Sequence, residues 1–323
     1  MRRFIARRLL ASVAIVFLAA TFTFILIHLA PGDPFSAAAE NSRITPEIQA
    51  QWRAAYALDR PLPEQYFRYI ANTAKGDFGY SFSQHRSVGA ALADAIPNTL
   101  LLMGVALIAS FAIGIVLGAL QARARGTALD RTLGGVSLFF YSMPDFWVAL
   151  VMLLIFSVWL GLLPSGGMTD PLMYDYWGFG RRMQDRALHL VLPVASFTLL
   201  VSAAVARYQR SAMLDMADQD FVRTARAKGA TERRVVVKHI LRNALLPIIT
   251  LLGLAFPLLL GGSVFIERIF SWPGMGRLAA DAILTRDYPL VMAVVIIGSV
   301  LVSAGNLLAD VLYAFADPRL RRS

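Results

Sequence analysis

The chain has 323 residues, 57% of them hydrophobic and only 16% charged, with a mean hydropathy of +0.58. Charge this far below the roughly 25% of soluble domains excludes the pair of water-soluble domains that length alone suggests. A net charge of +10 poses a choice between a nucleic-acid face and basic flanks around apolar spans, and the lack of cysteine excludes disulfides, thiolate metal sites and a thiol nucleophile.

Residues 9–29 carry no Asp, Glu, Lys or Arg and follow Arg2, Arg3, Arg7 and Arg8. A bilayer core takes about 20 apolar residues, whereas a cleaved signal has an apolar stretch of only about 7–15. The segment is therefore predicted to be a retained first helix with its amino terminus inside. Segment 30–97 is expected to form a small outer cap of short helices, including 46–58 and 63–74, between Pro and Gly punctuation. Its six basic and seven acidic residues nearly cancel, so it is no anion funnel. Trp52, Tyr56, Tyr66, Phe67 and Tyr69 are read as packing that cap, with anchoring at the outer interface as the other reading.

Five further spans are predicted at 98–120, 133–160, 188–206, 244–266 and 288–314. Six spans place both termini on one side. The inner segments (1–8, 121–132, 207–243, 316–323) then hold 19 Lys and Arg in 65 residues, against 12 in 116 for the outer segments (30–97, 161–187, 267–287). This is the positive-inside bias, so the basic charge is mostly an orientation signal and nucleic acid is not an expected partner. Gly114 and Gly118 have the spacing that lets membrane helices approach closely. Asp145 and Asp310 are the acids within the spans. Asp145 follows Pro144, whose missing amide predicts a kink. It is a candidate pathway residue that meets a cationic part of a solute, or else a local hydrogen-bonding group at a helix break. The outer loops hold Pro164-Ser-Gly-Gly167, Tyr174-Asp-Tyr-Trp-Gly-Phe179 and Phe270-Ser-Trp-Pro-Gly-Met-Gly276. The last demands turns at its Pro and glycines, and either outer segment can contact a partner or be a plain outer loop.

The longest inner segment, 207–243, reads as helix, corner and helix. Asp218 or Asp220 can cap the first helix. Phe221, Val222 and Ala225 share a face while Arg223 and Arg226 point elsewhere, and Gly229 can adopt the positive φ that ends helices. Thr231 can cap the second helix, with Glu232 in its first turn. Val236, Val237, Ile240, Leu241, Ala244 and Leu245 then carry an apolar face into the fifth span. Two readings fit this unit: a lever moved by a cytosolic partner, or an amphipathic loop on the anionic inner leaflet.

The run Thr224-Ala-Arg-Ala-Lys-Gly229, followed by Leu241-Arg-Asn-Ala-Leu-Leu-Pro247, resembles the EAA loop of binding-protein-dependent ABC permeases. Thr224-Ala-Arg stands where that pattern has Glu-Ala-Ala, with Ala225, Gly229 and Pro247 in register. The departure is similar to the dipeptide, oligopeptide and nickel branch. Arg7-Arg-Leu-Leu10, His28-Leu-Ala-Pro-Gly-Asp-Pro34, Lys75-Gly-Asp-Phe-Gly79, Ser142-Met-Pro-Asp-Phe-Trp147, Gly261-Gly-Ser263 through Glu267 to Phe270-Ser-Trp-Pro-Gly-Met-Gly276, and Asp310-Val-Leu-Tyr313 through Asp317-Pro318 resemble the first permease of that branch.

The resemblance implies an all-α, polytopic membrane fold of six transmembrane helices. A MetI-like core over 98–323, with its coupling loop at 207–243, follows an N-terminal helix and cap over 1–97. It implies that Asp220, Phe221, Val222, Arg223, Thr224, Ala225, Arg226, Ala227 and Gly229 meet a cytosolic ATPase, with Phe221, Val222 and Ala225 packing and Arg223 or Arg226 anchoring. No GxxxxGK[ST] phosphate cradle is present, so ATP and Mg are expected on two partner ATPase subunits or domains and no cofactor on this chain. A second homologous permease and an extracytoplasmic binding protein are the other implied partners, in a bacterial or archaeal cell membrane with lipid around the spans. Only under this resemblance is the region around Trp272-Pro-Gly274 a candidate contact. Peptides lead the implied solutes, ahead of nickel chelates, glutathione-like compounds, opines and sugars. An ion-coupled secondary transporter is the rival mechanism. An intramembrane enzyme lacks HExxH, paired carboxylates or a serine with a histidine partner.

Overall fold

The computed structural model describes residues 2–29, 60–261 and 263–316. In chain order these form α1 (Arg2–Leu29), α2 (Leu62–Ala74), a short antiparallel pair β1 (Tyr80–Ser81) and β2 (Arg86–Ser87), α3 (Val88–Arg123) and α4 (Ala128–Tyr141). Next come α5 (Asp145–Leu153), which runs on as a π-helical segment over Leu154–Trp159, then α6 (Phe179–Ala217) and α7 (Asp220–Ala227). α8 (Glu232–Arg234) continues through a π-helical segment, Val235–Leu241, into α9 (Arg242–Gly261), followed by α10 (Val264–Ile269), α11 (Met275–Leu284) and α12 (Tyr288–Ala316). Among the described residues five stretches are long and apolar enough to cross a membrane, and α4 with α5 supplies a sixth if the bent pair is one span. The all-α, polytopic expectation holds.

Two predicted spans are corrected. The third is not a kinked helix but two helices meeting at 101°. Pro144 sits in extended geometry (φ −62°, ψ 139°), donates no amide and disfavours helical geometry in the residue before it, so Ser142 to Pro144 form a corner. The fifth span ends at Gly261, because Ser263 is extended and its side chain caps α10 at the Ile266 amide. Elsewhere the helices outrun the apolar stretches: α3 begins at Val88 and tolerates Pro97, and α6 extends from Phe179 to Ala217 through Pro193.

The expected helix at 63–74 is α2, and among the described residues it packs on the first span. The Phe24 ring of α1 meets Tyr66 edge-on at 5.3 Å and stacks with Tyr69 at 5.6 Å, while Tyr66 Oη and Thr21 Oγ1 lie 2.7 Å apart. Phe67 is exposed. The predicted helix at 46–58 with Trp52 and Tyr56, most of the motif at 28–34 and the pair at 317–318 lie outside the described residues.

α3 and α6 run parallel and close. Thr198 Oγ1 donates to the Ala106 carbonyl, and further along a Cβ on Gly114 would fall 2.6 Å from Val205 Cβ, and one on Gly118 2.5 Å from the Ala206 carbonyl oxygen. The glycine pair thus sets interhelical distance, as its spacing predicts. One apolar cluster fills the middle of the bundle around Leu102, Phe111, Leu192 and Phe270, and a second joins Val88 and Leu92 of α3 to α11 and α12.

The second cluster lies at the hairpin end of the bundle, where two buried carboxylates tie distant segments together. Asp287 Oδ2 accepts from Ser81 Oγ at 2.6 Å and from Ser83 N and Oγ at 2.8 Å, while Oδ1 accepts from the Leu290 amide of α12. Glu267, fully buried, accepts from Thr99 Oγ1 at 2.8 Å and from the Arg277 amide at 3.0 Å. Burial pushes its carboxyl above the usual range, against the opposing pull of these donors and the Gly276 amide. Thr99 relays further, accepting from the Met275 amide at 2.7 Å, and Trp272 Nε1 donates to the Asn98 carbonyl. The motif Phe270 to Gly276 is therefore a collar around Glu267, with Ser271 held at φ 50°.

Thr99→Val leaves the Met275 amide and a Glu267 oxygen unpaired in a dry site, costing about 1–3 kcal/mol per orphaned group. The expected outcome is a lower melting temperature of the purified protein in detergent, recovered by Thr99→Ser. Gly118→Val is expected to lose about 1–3 kcal/mol by overpacking. Gly135→Val serves as its control, since nothing lies within 4 Å of that Cβ position.

Candidate functional site

α6 runs on to Ala217 before the chain turns. Gln219, extended at φ −76° and ψ 148°, is the N-cap of α7 in place of the expected Asp218 or Asp220, and no side chain caps this end. Asp220 lies in the first turn, where its charge favours the positive helix terminus. α7 closes as sequence predicts. Gly229 takes φ 77°, its amide donates to the Arg226 carbonyl at 2.9 Å, and the Ala230 amide donates to the Ala225 carbonyl at 3.2 Å. These are the two bonds of a Schellman motif. Thr231 then starts α8 through its backbone, its carbonyl accepting from the Val235 amide; its side chain caps nothing.

The packing divides the predicted contact residues. Val222 is fully buried and Ala225 nearly so, both in an apolar cluster with Met213 of α6 and Val235, Ile240 and Ala244. Their side chains thus hold the loop to this chain's own spans, whereas the sequence reading put them on a partner-facing surface. Phe221, 41% exposed, faces away from that cluster. Asp220, Arg223, Thr224, Arg226, Ala227 and Gly229 are also exposed. Arg223 pairs with Asp220 at 3.5 Å, and Arg226 bridges the corner to Glu232 at 2.8 Å. Such exposed pairs contribute little stability, so they leave the guanidiniums free to exchange partners.

The apolar face after the corner is phased differently from the α-helical expectation. Val235 and Ile240, five residues apart, are both buried, while Val237 is exposed. The π-helical segment Val235–Leu241 inserts an extra residue per turn and brings positions i and i+5 to one side. A 3.6-residue period cannot anticipate that shift.

Asp145 is half-buried at the 101° corner, in the first turn of α5, with Oδ1 accepting from the Phe146 amide at 2.8 Å. Phe146 in turn meets Phe265 of α10 at 6.1 Å. The local hydrogen bond is what a carboxylate at a helix start makes; the pathway reading of Asp145 remains a proposal. Trp272, offered above as an outer contact, is wholly buried in the collar, so its side chain is removed from that role.

Comparison with known proteins decides the family. Residues 114–322 match the model of the binding-protein-dependent transport system inner membrane component, and residues 1–103 match that of the N-terminal region of the same membrane components. The chain belongs to this permease family. It is 40% identical over 321 residues, 99% of each chain, to the oligopeptide transport system permease protein AppB of Bacillus subtilis. It is 38% identical over 337 residues to the dipeptide transport system permease protein DppB of Escherichia coli, covering 99% of each. A methionine ABC transporter solved in inward-facing conformations is similar at 21% identity and a TM-score of 0.49, over 68% of this chain and 95% of that one. The chain is accordingly a multi-pass inner-membrane permease.

Beside the loop, this permease has an ion pair that the sequence reading missed. Asp130, buried at the start of α4, receives both Arg210 Nε and Nη2 of α6 at 2.8 Å, and the Gly126 amide at 3.1 Å. The available signal was Thr127-Ala-Leu-Asp130, a capping-box pattern in which Thr127 Oγ1 accepts from the Asp130 amide. Nothing in one sequence pairs positions 130 and 210. Asp130→Asn removes the charge that Arg210 pairs with and leaves one acceptor oxygen for two donors, so a lower melting temperature is expected. In thermal melts of the purified protein, adding Arg210→Ala to Asp130→Asn should cost far less than Arg210→Ala alone, because the charge pairing is already lost.

Proposed function

We propose that this permease forms half of the pathway of an ATP-driven importer of di- or oligopeptides, and that Asp220 to Gly229 is the seat of its ATPase. The observation that carries this reading is the join between loop and spans. Val222 and Ala225 of α7 share one core with Met213 of α6 and Ala244 of α9, so a force on the exposed side of α7 reaches two spans without crossing a flexible linker. Phe221 is the apolar anchor and Arg223 and Arg226 are the charged contacts. Both termini lie in the cytoplasm, as the density of Lys and Arg on the loop's side supports. A homologous second permease completes the pathway, two ATPase subunits bind ATP and Mg, and an extracytoplasmic binding protein delivers the solute. Asp145, at the corner of the bent pair, meets the amino group of the peptide. Full-length likeness to oligopeptide and dipeptide permeases supports the substrate class.

Gly229→Val separates the parts of this proposal. Among the described residues no atom lies within 4 Å of a Cβ at Gly229, so within this chain the substitution acts through backbone strain at φ 77°. A β-branched residue there costs roughly 1–3 kcal/mol, enough to tilt the corner and reduce uptake per ATP hydrolysed by about tenfold. The complex in vesicles should keep its ATP hydrolysis while losing peptide uptake, with Gly229→Asn milder because Asn tolerates positive φ. Normal coupled uptake by a stably inserted Gly229→Val complex sinks the assignment.

A further inference from the structure

Beside the corner, the ends of α3 and α6 and the π-helical turn enclose a groove of about 360 Å³. Its walls are apolar, from Met213 and Leu214 on one side and Val236 and Val237 on the other. Arg123 and Arg233 also line it, both exposed, and neither pairs with a carboxylate among the described residues. The remaining charged lining groups, Arg226 and Glu232, are occupied with each other. The groove thus combines an oily wall with two unspent guanidiniums. Its height in the fold is equally specific. Arg123, the last residue of α3, lies three residues past the apolar stretch 98–120, and Ala217 is the last residue of α6, so the groove sits at the inner ends of these two helices, next to the headgroup side of the leaflet.

We infer that the groove holds one anionic phospholipid of the inner leaflet, with an acyl chain along the Met213–Val237 walls and its phosphate between Arg123 and Arg233. This rests on the cytoplasmic orientation proposed above. Charge complementarity selects an anion, since the lining carries three arginines against one glutamate. The apolar walls select an amphiphile over a bare anion, because burying them recovers hydrophobic free energy that inorganic phosphate leaves unused. The surrounding leaflet supplies such a molecule at high local concentration. A seated lipid bridges α3 to the residues just after Gly229, stiffening the corner through which the ATPase pushes. Anionic lipid therefore raises the solute carried per ATP without contributing to the ATPase contact itself.

The test uses the assembled transporter in nanodiscs of phosphatidylcholine with increasing phosphatidylglycerol. Native mass spectrometry counts the retained lipid, and vesicles of the same compositions report uptake per ATP. Each of Arg123→Ala and Arg233→Ala is expected to weaken phosphatidylglycerol retention about fivefold, and the pair about 25-fold. The paired lysine variants are expected to retain the lipid, which separates lost charge from lost folding. Uptake per ATP of the wild type rises with phosphatidylglycerol, and that of the double alanine variant does not. Equal retention of phosphatidylglycerol by wild type and double variant overturns the site, as does equal retention of phosphatidylcholine and phosphatidylglycerol by the wild type. Displacement by soluble glycerol phosphate also overturns it, because the headgroup alone would then suffice. Arginine-dependent retention in a complex that imports nothing upholds the lipid seat while removing the transport reading. Normal uptake with arginine-independent retention removes only the lipid.

Discussion

Everything in this bundle is arranged around the seam where α3 lies against α6 with no side chain between them at Gly114 and Gly118. A methyl group at either glycine would collide with α6, at Gly118 with its backbone, so the helices are as close as they can be. In a bilayer, where burying apolar surface gives no advantage over lipid, close van der Waals packing is the main force available to hold two such helices. α3 contributes residues to all three apolar clusters, from Val88 near one end through Leu102 and Phe111 to Ala119 and Ala122 near the other. The seam consequently aligns both ends of the molecule to one axis.

Polar groups then fasten each end. At the hairpin end Glu267 and Asp287 sit in dry sites, each satisfied by donors from segments far apart in the chain. At the loop end Asp130 locks α4 to α6 through Arg210. Burying these carboxylates is costly unless they are paired, so each stays in place only while the whole set of partners does. Such groups define a single arrangement more strongly than they add stability. Between the fastened ends, the 101° corner before Asp145 interrupts the regular helices where a proline removes a backbone donor. Under the proposed function, the stiff seam conveys the loop's movement and the corner is where the bundle's path is broken.

The loop itself shows why surface and core must be separated before a contact is assigned. From periodicity Phe221, Val222 and Ala225 form one face; in the fold Val222 and Ala225 turn inward and Phe221 does not. Helical spacing specifies which residues are neighbours, but it is silent on whether a partner or the chain's own spans lie opposite them. The same ambiguity applied to Trp272, whose aromatic bulk suited an outer contact and instead fills the collar around Glu267.

Much was legible without coordinates. Uncharged stretches long enough to cross a bilayer, the glycine pair on α3 and the αL stop at Gly229 follow from local chemistry, because hydropathy, the lack of a Cβ and positive φ belong to the residue itself. So did the family, carried by short motifs in order along the chain. Tertiary structure decided what depends on pairs of distant residues: Asp130 with Arg210, Glu267 with Thr99 and Arg277, and the inward turn of Val222. It also decided the phase of the π-helical segment Val235–Leu241, since an inserted helical residue is stabilised by the neighbours it packs against and leaves no mark in the local sequence.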